Sequence, residues 1–68
     1  MINTDKVKGR MKEKRITQKM VADKLGIAQP TANQKINNIR PMTLSEAEIL
    51  SSLLEIAPEE FGLYFFLQ

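Results

Sequence analysis

The chain has 68 residues, ten bases against eight acids, and neither cysteine nor histidine. That length holds one small domain with a modest core, and the two missing residue types exclude disulfides, ordinary zinc sites and the Ser–His or Cys–His pairs of nucleophilic catalysis. The formal charge of +2 hides a division: all ten bases lie in residues 1–40 against three acids, a balance of +7, whereas residues 41–68 carry five glutamates and no base.

Such asymmetry points to an anionic partner for the first part, or a basic one for the second. No run approaches the roughly 18 apolar residues of a membrane span, and the N-terminal MINTDKVKGRMKEKR lacks the apolar segment of a signal peptide. The expectation is a cytoplasmic protein that is not an enzyme, needs no metal or cofactor and has no membrane partner.

In chain order, Asn3, Thr4 and Asp5 are good N-cap or first-turn residues. With Val7 and Met11 on one face they predict a helix over about residues 4–14, with Gly9 as its weak point. Thr17 is the next N-cap. After it, Met20, Val21 and Leu25 form the stripe of a short amphipathic helix. Gly26 stands where a left-handed helix stop is wanted, and Ile27 can drop into the core from the turn.

Ala28 is expected just before a third helix, Gln29 to Asn37, with Pro30 in its first turn, where a missing N–H is not missed. On that helix Ala28, Ala32 and Ile36 share one face. Pro30, Gln34 and Asn37 share the opposite one, flanked by Thr31 and Asn33. Asn38 suits a left-handed C-cap, and Pro41 prevents continuation.

Thr43 and Glu46 form a capping box. Leu44, Ala47, Leu50 and Leu54 then make a core stripe, with Ile49 and Leu53 beside it. Pro58 starts a fifth helix with Glu59 and Glu60 in its first turn. Phe61, Tyr64 and Phe65 can face the core, while Phe65, Phe66 and Leu67 are also candidates for a dimer or partner patch. The expected fold is all-α, a compact domain of five short helices spanning residues 1–68.

Two short helices joined by a tight glycine turn, with a small residue inside the first, make a helix-turn-helix over about residues 17–37. Ala22 is small where the helices cross, and Gly26 turns the chain. Val21, Leu25, Ile27, Ala32 and Ile36 anchor the unit, which leaves the second helix polar outward to meet base edges.

The stretch TQKMVADKLGIAQPTANQKINN resembles the Cro/repressor-type (XRE-like) helix-turn-helix family of phage and bacterial regulators, whose fold is lambda-repressor-like. The following RPMTLSEAEILSSLLEIAPEEF is similar to the family's two C-terminal helices. The stretches LGIAQPTANQKIN and LSEAEILSSLLEIAPEEFGLYFF are similar to small prophage switch proteins, including Cro-like proteins and modulators of repression.

The resemblance implies that Gln29 contacts a base edge, that Pro30 and Thr31 meet a thymine methyl, and that Asn33 and Gln34 reach further bases. Phosphate contacts fall to Gln18, Lys35, Asn37, Asn38 and Arg40, with Lys6 and Arg10 adding sequence-independent attraction. The chain departs from the family at Ala32, where a bulkier residue is common, at Lys35, where an apolar one is common, and in having no arginine on the outward face.

Two functions are therefore open. One is a transcription regulator that binds double-stranded operator DNA, as a homodimer, in a lysis–lysogeny type switch. The other is an antirepressor that binds a phage repressor protein and blocks its DNA-binding face.

Overall fold

The first four helices each begin where a side chain or a proline deals with the unpaired N–H groups of the first turn. The computed structural model describes residues 1–66, and over them it is all-helical. The elements are α1 (Thr4–Lys14), α2 (Gln18–Leu25), α3 (Gln29–Ile36), α4 (Leu44–Leu53) and a single 3-10 turn, Pro58–Glu60, running into α5 (Phe61–Phe65).

Asn3 caps α1 by accepting from the Lys6 N–H at 3.2 Å, and Thr17 caps α2 by accepting from the Met20 N–H at 3.2 Å. The expected capping box on α4 is closed in both directions, Glu46 N–H to Thr43 Oγ1 at 3.1 Å and Thr43 N–H to Glu46 Oε1 at 2.9 Å. On α3 no side chain caps, and Pro30 supplies the start.

The helix ends share one device. Arg15, Gly26, Asn38 and Glu55 all have positive φ, between 54° and 69°. In every case the next residue is an isoleucine whose N–H reaches back five residues to a helix carbonyl, at 2.8–3.0 Å. Such a closure usually drops the following apolar side chain onto the helix it ends. Ile16 and Ile27 are half-buried and Ile56 is buried, but Ile39 is 69% exposed.

The core gathers Val7 and Met11 of α1, Val21 and Ala22 of α2, Ala32 and Ile36 of α3, and Ala47, Leu50 and Leu54 from α4 and its end. Ile2, Ile56, Tyr64 and Phe65 complete it. Phe65 is the largest fully buried side chain, so it closes the core and is no part of an exposed patch. Phe66 is 47% exposed, and Leu67 lies outside the described residues.

Three other expectations are corrected. Leu44, the first residue of α4, is 58% exposed, whereas Ser51 is buried on the inner face of the same helix. Ile49 and Met20 are also exposed, turned away from the buried faces of their helices.

Arg10 ties α1 to the end of α4. Its Nε donates to the Leu54 carbonyl at 2.9 Å and its Nη2 to the Glu55 carbonyl at 2.8 Å, satisfying carbonyls that helix termination leaves unpaired.

Gly26 and Gly9 should respond oppositely to alanine. At φ +69° a Cβ is strained although the space around it is open, so Gly26→Ala should lose about 1 kcal/mol. Gly9 lies inside α1 with nothing within 4 Å of an added Cβ, so Gly9→Ala should gain about 0.5–1 kcal/mol. Urea titrations of both variants check this, and a stability gain for Gly26→Ala would contradict the left-handed turn.

Candidate nucleic-acid interface

The third helix rests on the core through very little apolar surface. Only Ala32 and Ile36 are fully buried on α3, and Ala28, expected on that face, is exposed at the N-cap. Ala22 on α2 is buried in the same cluster, and small side chains on both helices permit a close approach. Gly26 makes the turn between them, and Val21, Leu25 and Ile27 pack into or against the core beside it.

Apart from Asn33 and Lys35, which reach α2 and α4, the rest of α3 is partly or fully open to solvent. Gln29 and Pro30 are exposed, and Thr31 and Gln34 are half-buried. Among the described residues, the side-chain amides of Gln29 and Gln34 make no hydrogen bond, so both keep a donor and an acceptor for a ligand.

Several residues expected at phosphates or bases are instead engaged within the fold. Lys35 Nζ lies 2.7 Å from Glu46 Oε1 and also donates to the Pro41 carbonyl at 3.4 Å. Both partners of that ion pair are mostly buried, with 14% and 17% of their side chains exposed. The charged end of Lys35 thus joins α3 to α4, while Ile36 takes the apolar seat.

Asn38 lies just past the end of α3 and holds the N-terminal segment. Its Oδ1 accepts from the Ile2 N–H at 3.0 Å and its Nδ2 donates to the Ile2 carbonyl at 2.9 Å, as a neighbouring strand would. Thr4 Oγ1 donates to the Ile36 carbonyl at 2.7 Å beside it. Asn37 Nδ2 turns back onto the Asn33 carbonyl at 2.8 Å.

Asn33 Nδ2 donates to Gln18 Oε1 at 3.0 Å, bridging α3 to the first residue of α2. Lys6 stands over the Tyr64 ring at 4.8 Å, and Arg10 is committed to α4. All of these but Asn37, which closes its own helix end, fasten elements together, which the sequence could not distinguish from a solvated polar face.

Arg40 has no ion pair among the described residues, and neither do Lys8, Lys12, Arg15 and Lys24. Arg15 was not singled out from the sequence, yet it stands exposed in the turn that leads into α2. Its signal is positional: a base two residues before an N-cap Thr.

A helix that keeps two unengaged amides on its outer side, carried on a glycine-turned partner and flanked by bases, fits a DNA-binding helix-turn-helix domain. The chain belongs to the helix-turn-helix family of Cro/repressor-type regulators, whose model matches residues 7–61, from α1 to the start of α5. Domains of this family bind double-stranded DNA and act in transcription regulation. No curated protein and no solved structure matches the chain. Among the described residues, no helix is long and apolar enough to cross a membrane.

The Lys35–Glu46 pair has a pH signature. Burial raises the Glu46 carboxyl, but hydrogen bonds from Lys35 and Thr43 and the charge of Lys35 together outweigh it and hold it below its ordinary 4.5. Ionised Glu46 therefore stabilises the fold above about pH 4.5, and that contribution disappears as the pH falls through 4.5 towards the lowered value. Glu46→Gln should lose about 1 kcal/mol at pH 7, with the difference from the unmodified protein closing at acid pH. A difference that stays constant in thermal melts across that range would contradict the ion pair.

Proposed function

We propose that this protein is a Cro-like regulator that binds operator DNA in the cytoplasm, as a pair of chains, in a switch of the prophage kind. The observation that carries this is the free amide face of α3. Eight residues of helix, about 12 Å long, fit the major groove, and Gln29 and Gln34 are its two unengaged amides. Gln29 reads adenine through its paired donor and acceptor, and Pro30 and Thr31 meet a thymine methyl. Arg15, Gln18 and Arg40 flank the helix as phosphate contacts.

Pairing follows from size and from one misplaced side chain. Half-sites of such operators lie about 34–36 Å apart, whereas the domain measures 29 × 23 × 20 Å, so one chain reads one half-site. Ile39 is the isoleucine whose helix-end closure fails to bury it. It borders a hollow of about 290 Å³ with Met42 and Phe66 immediately after α3. A second copy covers it.

Fluorescence anisotropy with duplexes from the control region of its own operon tests this. Gln29→Ala should weaken specific binding roughly tenfold or more and leave the salt dependence unchanged. Arg40→Ala should reduce the log–log salt slope by about 1. Ile39→Asp should leave half-site binding intact and abolish occupancy by two chains. Binding that ignores sequence, or is indifferent to Gln29→Ala, would rule this function out.

The antirepressor reading has its own observation. A cleft of about 440 Å³ runs between α4 and the Pro58 turn, lined by Leu44, Glu48, Ser51, Ile56 and Phe61. Glu48 and the nearby Glu59 and Glu60 have no ion pair among the described residues, so an apolar floor meets unneutralised carboxylates. That chemistry suits the basic surface of a repressor. Mixing with the repressor of the same control region should then release operator from the repressor, and Glu48→Lys should prevent it. Intact repressor–operator binding at micromolar concentrations of this protein rejects that second activity.

A further inference from the structure

Asn33 sits one turn beyond Gln29 on α3, on the face proposed to read DNA, and it is not free to turn. Its Nδ2 is held by Gln18 Oε1 at 3.0 Å. An amide carries its donor and acceptor on opposite sides of one planar carbon. With Nδ2 turned to Gln18, Asn33 offers Oδ1 on its other side, where no described residue bonds it. Gln18 is fixed in the complementary sense: Oε1 faces Asn33, and its NH₂ group is left at the N-terminal end of α2, where a phosphate oxygen is best received.

We infer that Gln18 makes Asn33 a hydrogen-bond acceptor for a single base, selecting one with an exocyclic amino group in the major groove. Adenine N6 and cytosine N4 supply that donor, whereas guanine O6 and thymine O4 put an acceptor against an acceptor. This differs from the two-bond adenine contact of a free asparagine, and it couples base choice to a phosphate anchor on another helix. The inference rests on the operator-binding reading of α3.

The test is selection of binding sites from randomised duplexes, followed by titration of the four variants of the position whose preference Asn33→Ala erases. The unmodified protein should prefer adenine or cytosine there over guanine or thymine by roughly tenfold. Gln18→Ala should erase that preference and weaken binding generally, while preferences at the other positions persist. Gln18→Glu keeps an acceptor for Asn33 Nδ2 but repels the phosphate. It should retain the amino-base preference with weaker binding overall.

A keto preference at that position, or an amino preference that survives Gln18→Ala, overturns the inference and leaves operator binding standing. Absence of any base preference in the unmodified protein removes operator binding itself, and the inference with it. Gln18 is half-buried outside the core cluster, so circular dichroism should show both variants folded, which makes these outcomes readable.

Discussion

Everything exposed on α3 depends on how little of it is buried. Ala32 and Ile36 are its only fully buried residues, and an alanine removes little apolar area from water, so this seat is weak by the measure of buried surface. The chain strengthens it with polar bridges. Lys35 reaches Glu46 on α4, Asn33 reaches Gln18 on α2, and Asn38 and Thr4 tie the helix end to the N-terminal segment. A thin apolar contact gives close approach, and directional bonds from the middle of the helix to its end fix its rotation about its axis. Rotation is what decides which side chains meet a groove.

The same bridges explain the sorting of the amide-rich stretch. Of Gln29, Asn33, Gln34, Asn37 and Asn38, three side chains make hydrogen bonds within the fold and two make none among the described residues. A side-chain type cannot announce which use it serves, because the partner lies far away in sequence. Gln18 is 15 residues from Asn33, and Ile2 is 36 from Asn38. Helix limits were legible for the opposite reason. Asn3, Thr17 and Thr43 cap within three residues of themselves, and Gly26 and Asn38 mark left-handed ends by their own conformational preference. Arg15 and Glu55 take the same backbone without being residues that favour it, so those two closures were invisible. The repeated isoleucine after each closure was the available signal.

Burial on α4 was half legible. Ala47, Leu50 and Leu54 fall inside as the helical period requires, but Leu44 and Ile49 do not, since periodicity says which side chains align and not how far a neighbour extends over them. The exposed Leu44 contributes to the cleft near Glu48. The exposed Ile39 borders a second hollow on the other side of the α3–α4 loop. Carboxylates accompany the first and Arg40 the second. The +7 and −5 halves of the sequence are partly joined, since Lys35 pairs with Glu46 and Lys14 with Glu55; Arg40 and Glu48 have no ion pair among the described residues.

The most direct test of α3 as the reading helix is a titration of ¹⁵N-labelled protein with its control-region duplex, following backbone and side-chain amides by NMR. The account predicts that the largest changes fall on the side-chain amides of Gln29 and Gln34 and on backbone amides from Arg15 to Gln18 and through α3. The cleft at Glu48 and Phe61 should stay unperturbed. Changes centred on that cleft, with α3 silent, would contradict it.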